Sequence, residues 1–446
     1  MKNDADFYSK RAFDNMSREN YKAAIADATN AIKLNPKDII SYDVRGISYA
    51  ELGQFNLALT DFDKAIAITP KFDWTYVNRG RVFVMMNEYR AAIKDYSKVI
   101  QLNPKASSGY FCRGDVYKFL EDFESAIKDF SKTIQLDPDV LLAYNNRAFC
   151  YARRGEFKLA IQDLDKCIEL EPDKFEAYIN RGNCYAKLEQ YDLALESLNT
   201  AVELNPNFAT AYFIRGAIYG DLGQYDSAIQ DYSKAVELEP NYINAYNSRA
   251  NLYGQLGQYD SAIQDYSKAI ELDPNDSETY YNRGCAYDNL GQYERAIDDY
   301  TKAIELDPNF ASAYNNRGWD YYLLENYDAA LADANKALEL DPNECAIYDT
   351  RACVYLSIGK IPEALADLDK AVELDPNQFH THSIRGCIYL ELGKPSEALA
   401  DFNKAIELNP NDAAIYFNRG RCFQALGDEE NARADFIRAY ELSDED

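Results

Sequence analysis

The chain lacks any run of about eighteen apolar residues, so it holds no segment able to cross a bilayer as a helix. Positive charge is in deficit, with 47 Lys+Arg against 74 Asp+Glu and a net charge of −27. The phosphate-neutralising excess on which nucleic-acid binding depends is therefore missing. There is no glycine-rich phosphate loop, no paired metal-ligand helix motif and no nucleophile elbow, so no catalytic residue set can be named. The two histidines, His380 and His382, lie two apart on a predicted helix and point to different faces. A zinc site built from them and Cys387 lacks a fourth ligand, and no metal or cofactor is expected. The opening residues place Asp4, Asp6 and Asp14 where an export signal needs an apolar stretch, and the chain is expected to be cytoplasmic.

What is present is periodic. Pro36, Pro70, Pro104, Pro138, Pro172, Pro206, Pro240, Pro274, Pro308, Pro342, Pro376 and Pro410 stand 34 residues apart. Residues 5 to 446 thus divide into thirteen units, 5–38, 39–72, 73–106, 107–140, 141–174, 175–208, 209–242, 243–276, 277–310, 311–344, 345–378, 379–412 and 413–446, with Asp444 where another proline would fall. In the seventh, Tyr212, Gly216 and Tyr219 fall at i, i+4 and i+7, and Ala228, Tyr232 and Ala235 repeat that spacing. Each half is an amphipathic helix. Gly223 stops the first, because glycine takes the left-handed conformation without steric cost. Pro240 ends the second, since the residue before a proline is pushed away from helical geometry. A hairpin this short cannot bury its apolar stripe alone, so the units must stack into one solenoid over residues 1–446.

The order Tyr212, Gly216, Tyr219, Ala228, Tyr232, Pro240 resembles the tetratricopeptide repeat. That resemblance implies an all-α, right-handed superhelix of antiparallel helix pairs with a concave groove, and the general role of a scaffold. One departure is the arginine, from Arg11 and Arg45 to Arg419, where the family usually has leucine. It is matched by aspartates on the second helices, from Asp27 to Asp435, with Ser197 the single replacement. Bidentate pairs that set helix register explain both ladders better than an anion site does. If pairing is within a unit, Ser197 leaves Arg181 short of a partner; if it is with the preceding unit, it leaves Arg215 short.

Other repeated residues read as framework. Of 37 tyrosines, 33 fill four repeat positions, which argues against a surface for stacking bases or sugars. Six of the nine cysteines sit at two adjacent repeat positions of the first helices, in units too far apart for disulfides, and read as reduced apolar filler. In the last unit Arg433, Tyr440 and Glu429 replace residues that are apolar or aromatic elsewhere, as a solvent-facing cap would, so the array is expected to end near Asp446.

Specificity should lie where the units differ. One first-helix stripe changes freely: Trp74, Val77, Arg81 and Val84 in the third unit, and Ser312, Asn315, Trp319 and Tyr322 in the tenth. In the repeat family it lines the groove, and both tryptophans fall on it. Tryptophan is a frequent binding anchor, although isolated surface aromatics are common. Trp74, Val77, Asn78, Arg81 and Phe111 form one candidate partner-binding cluster, and Asn316, Trp319 and Tyr322 a second. Asn78, Asn146, Asn180, Asn282, Asn316 and Asn418 precede ladder arginines, where an amide could hold a peptide backbone. This resembles the asparagine ladders of some superhelices of the family, interrupted here by Val44, Cys112, Ile214 and Ile384.

The expected function is a non-catalytic scaffold for a protein or peptide, with a basic partner suited to the acidic later units. Two alternatives are an RNA- or acidic-peptide-binding array through Lys37, Lys71 and Lys105, and a scaffold subunit of a larger enzyme complex.

Overall fold

The computed structural model describes residues 2–443. Among them run 26 α-helices and no strand, two helices to each 34-residue unit. The chain divides into two compact parts, Met1–Leu222 and Gly223–Asp446. Within each, a second helix packs on the first helix of its own unit and on that of the next, the arrangement of an all-α solenoid.

The helix pair Ile243–Gln255 and Tyr259–Leu272 shows why the units fold so. Ala262, Tyr266 and Ala269, at i, i+4 and i+7, are all buried, and the alanines let neighbouring helices approach closely. Asp273, held at φ −132° and ψ 98° before Pro274, ends the second helix in the extended conformation that a following proline imposes. Between the helices a left-handed residue turns the chain. It is glycine in eight units, Gly223 among them, but Glu19, Asn87, Glu121, Glu189 and Glu325 hold φ of 58° to 61° in the other five.

The repeated tyrosine, proline, arginine and aspartate prove to be parts of one network. In the third, sixth, seventh and eleventh units the first-helix tyrosine hydroxyl donates to the carbonyl of the preceding loop's proline, as Tyr76 does to Pro70 at 3.2 Å and Tyr348 to Pro342 at 3.1 Å. Where that tyrosine is replaced, buried His382 does the same work, with Nε2 3.1 Å from the Pro376 oxygen and Nδ1 3.0 Å from Asp401. Arginine guanidinium groups lie over the same rings, Arg317 at 5.5 Å from Tyr314.

The ladder pairs within the unit. Arg45 donates from Nε and Nη2 to Asp61, both at 2.7 Å, and the pair recurs as far as Arg419 and Asp435. Its third nitrogen goes to the preceding second helix, Nη1 of Arg45 reaching Thr29 at 3.0 Å. Each such arginine therefore staples three helices. At Ser197 the loss falls on Arg181, which bonds the serine at 3.2 Å and recovers a carboxylate from Asp165 at 2.7 Å.

The first helices carry a second set of links. Ser9 and Ser41, Asp43 and Thr75, Asn247 and Thr279, and Asp349 and Thr381 are hydrogen-bonded between successive units at 2.7 to 3.1 Å. Wherever a hydroxyl stands at this repeat position, as in Ser41, Thr75, Thr279 and Thr381, the preceding unit offers it a polar partner. In the last unit Arg433 and Glu429 are exposed, as are Tyr440 and Ile437. Asp444 and Asp446 lie outside the described residues.

Candidate functional site

The variable stripe of the first helices differs between the two parts of the chain. In Met1–Leu222 it presents large apolar side chains to solvent: Ile40, Trp74 and Leu142 at one repeat position, Phe13 and Phe149 at another. Trp74 is 55% exposed. In Gly223–Asp446 the same positions hold mostly Asn, Ser, Ala and Cys, and Phe417, at the repeat position of Val77, is exposed on the same stripe.

The cluster expected around Trp74 is placed unevenly. Val77 is half-buried, and Arg81 forms an exposed ion pair with Glu51 at 2.8 Å. Phe111 turns to the core, its ring 5.8 Å from that of Phe130. Asn78 is buried, and its Nδ2 has no acceptor. In the other cluster Trp319 is half-buried and lies against Tyr322, ring centroids 5.1 Å apart.

The six asparagines separate by what stands 31 residues earlier. Asn146 donates to Asp115 at 3.3 Å and accepts from Lys118 at 3.2 Å. Asn316 donates to Cys285 Sγ at 3.6 Å and to the Tyr281 hydroxyl at 3.2 Å, and Asn418 donates to Cys387 Sγ at 3.6 Å. These three amides are engaged by the preceding first helix. Asn78 meets Ile47 in that register and stays unpaired, and half-buried Asn282 meets Asn251, whose oxygen accepts from Tyr266. Asn180 meets Phe149 and is exposed, its amide free.

Sequence reading missed two features. Asp320 is fully buried with no donor for either carboxylate oxygen. Burial, with the facing Asp288 carboxyl, pushes it up to about 8, and burial raises Asp288 as well. The signal was an acid in the tenth unit at a repeat position that, beyond Asp14 of the first unit and Ser48 of the second, holds apolar residues or cysteine, as in Val82, Val116, Cys150, Ile218, Ala286 and Val354. The other is a concavity of about 390 Å³ between the first helices Leu141–Arg153 and Phe175–Lys187. None of the nine cysteines is exposed, and burial pushes thiols such as Cys150 and Cys184 up to about 11, which keeps them neutral. No group of three or more His, Cys, Asp or Glu among the described residues could hold a metal ion, and no described helix is long and apolar enough to cross a membrane.

Comparison with known proteins agrees with this architecture. Tetratricopeptide repeat models match residues 40–72, 108–140, 142–174, 175–208, 197–230, 243–276, 277–310, 311–344, 346–378 and 413–446, and a TPR repeat model matches 80–120, 216–257 and 386–427. No curated protein sequence matches the chain. Similar solved structures include the APC/C hetero-tetramer Cut9-Hcn1, at 16% identity over 98% of this chain and 96% of that one, with a TM-score of 0.46. A tetratricopeptide repeat protein from Parabacteroides merdae is 25% identical over 56% of this chain and 98% of its own, with a TM-score of 0.47. YrrB, described as a TPR protein with an unusual peptide-binding site, is 24% identical over 42% and 97%, with a TM-score of 0.38.

Proposed function

Because the chain belongs to the tetratricopeptide repeat family, we propose that it is a non-catalytic scaffold that binds a protein partner on the first-helix face of Met1–Leu222. The observation that supports this reading is the exposed stripe of Phe13, Ile40, Trp74, Leu142 and Phe149. Framework side chains at neighbouring positions are spent on the Tyr, Arg, Asp and Pro network, whereas these have no internal partner that covers them. Exposed apolar residues gathered on one face mark interaction surfaces more often than scattered ones do. Trp74, with Val77 beside it and the Arg81 guanidinium at the rim, supplies the combination of aromatic anchor and orienting charge that dominates many interfaces. The acidic Gly223–Asp446 part, through the face of Asn282, Asn316, Trp319, Tyr322 and Asn418, would favour a basic segment, and the buried neutral thiols suit a reducing cytoplasm.

The test is to identify what co-purifies with the full chain from its own cell and to titrate it against variants. Trp74→Ala should weaken binding by roughly 1 to 3 kcal/mol with thermal unfolding unchanged. Tyr212→Ala empties a buried framework position and should instead destabilise the fold by about 3 kcal/mol or more. Unchanged affinity in both Trp74→Ala and Ile40→Ala would remove the stripe from consideration.

A further inference from the structure

Among the candidate asparagines, Asn180 combines an exposed amide with an aromatic neighbour. In the register where Asn146, Asn316 and Asn418 find an acceptor, Asn180 finds Phe149, so its amide is free and a 46% exposed ring lies beside it. The concavity of about 390 Å³ at this point has Phe149, Phe157 and Leu164 in its floor. Its rim carries Arg153, Asn180, Asn183 and Lys187, and no carboxylate lines it.

The rim groups are also uncommitted. Asn180, Asn183 and Lys187 are exposed and none has a side-chain hydrogen bond or ion pair. Arg153 is held by aromatic rings, its guanidinium 5.5 Å from Phe123 and 6.0 Å from Phe149, with Glu121 a long, exposed ion-pair partner at 3.4 Å. Exposed pairs of that kind contribute little and exchange readily. The acid on the two helices, Glu176, lies a full helix length from Lys187 and pairs with Lys174 at 3.9 Å.

We propose that this concavity is a specificity pocket for an acidic peptide segment carrying one bulky apolar side chain. The apolar group enters against Phe149 and Phe157, flanking carboxylates meet Lys187 and Arg153, and the Asn180 and Asn183 amides hold the peptide backbone. The inference rests on the scaffold reading of the same first-helix face and names the chemistry of its partner.

The test uses the full chain and displayed random peptides as the probe. Selection should enrich sequences with a large apolar residue flanked by Asp or Glu. Their affinity should fall about tenfold or more in Lys187→Glu, and replacing the flanking acids by lysine should recover it, because like charges at a contact repel and opposite ones attract. Lys187 is exposed, so this variant should fold normally, which circular dichroism checks. Asn180→Leu should weaken the same peptides severalfold without altering their charge preference. Enrichment of basic or uncharged peptides, or of acidic ones that bind Lys187→Glu equally well, would overturn the pocket. If peptides of the latter kind are lost with Trp74→Ala, the scaffold reading stands and only the pocket falls; no enrichment on any variant would sink both.

Discussion

Met1–Leu222 and Gly223–Asp446 are built on one repeat and differ almost wherever that repeat leaves a choice. The first carries 29 Lys+Arg against 32 Asp+Glu, the second 18 against 42, giving net charges of −3 and −24. In the second part each second helix from Tyr225–Leu238 to Pro395–Leu408 ends with a Lys–Glu pair such as Lys268 with Glu271 at 2.9 Å, where the first has Lys98 with Gln101, Lys132 with Gln135 and one Lys–Glu pair, Lys166 with Glu169 at 2.8 Å. The first part exposes large apolar side chains on its variable stripe and turns four of its six hairpins through a left-handed residue that is not glycine; the second buries or replaces those side chains and does so once in seven. The contrast shows what the Arg–Asp–Tyr–Pro framework permits. With helix packing secured internally, the first part can hold exposed aromatics and strained turns, and the second can hold a large excess of one charge.

The largest effect should come from cutting that framework where it has no reserve. Arg283 donates twice to Asp299 at 2.7 Å, and its third nitrogen has only the Ser267 hydroxyl. Arg181 already lives without the ladder aspartate because Asp165 supplies a charge from the preceding helix. Asp299→Ser should therefore destabilise its unit by about 3 kcal/mol, the cost of stranding a largely buried charge. Adding Ser267→Asp, which copies the Arg181 arrangement, should recover much of it. Hydrogen exchange in the helices Ser277–Asn289 and Tyr293–Leu306 reads the local loss, since a repeat array opens in parts. Full protection in Asp299→Ser would show that the ladder carries no stability.

A smaller effect, confined to the second part, comes from Asp320. The folded state holds its proton up to about pH 8, whereas an unfolded aspartate releases it near pH 4. The folded chain thus binds more protons across that window, and stability falls as pH rises through it before levelling off. Asp288 faces it, and Cys285, Tyr281 and Tyr300 line the same buried region. The counterpart in the first part, Asp43, is pushed up to about 7 by burial but accepts from Thr75 at 2.8 Å, so its window is narrower. Asp320→Val, the residue at this repeat position in Val82 and Val354, should flatten the slope and protect the helix Ala311–Leu323 at pH 8. An unchanged pH profile would show that Asp320 does not hold the proton.

Much of this was legible in the sequence, because a repeat prints its framework thirteen times. The helix pairs, the turn position, the tyrosine columns and the Arg–Asp ladder all follow from residues recurring every 34 positions, and Ser197 marked the question that the structure answers in favour of Arg181. The third bond of the arginines from Arg45 onward was not legible. Its acceptors Thr29, Asp63, Ser97 and Asn199 share no residue type, only an oxygen in the right place. The asparagines misled for a related reason: identical residues at identical positions are engaged or free according to what lies 31 residues earlier, a register that only helix packing defines. Asp320 stood out in its column but needed burial to acquire meaning.

The smallest effect sharpens the contrast in the turns. A residue with a Cβ in the left-handed region costs about 1 to 2 kcal/mol, partly offset because glycine loses more backbone freedom on folding. Glu189, at φ 58°, should therefore become more stable as Glu189→Gly by roughly 0.5 to 1 kcal/mol. It is a cleaner site than Glu121, whose carboxylate also reaches Arg153. The converse belongs to the second part. Gly257 sits at φ 70° with nothing within 4 Å of where a Cβ would stand, so Gly257→Glu adds backbone strain without a clash and should lose a similar amount. Hydrogen exchange in the helices flanking each turn measures both. A gain from Glu189→Gly matched by a loss from Gly257→Glu would show that the first part carries turn strain that the second avoids. If neither variant moves, the non-glycine turns cost nothing, and the stability of the two parts differs through charge and buried carboxylates alone.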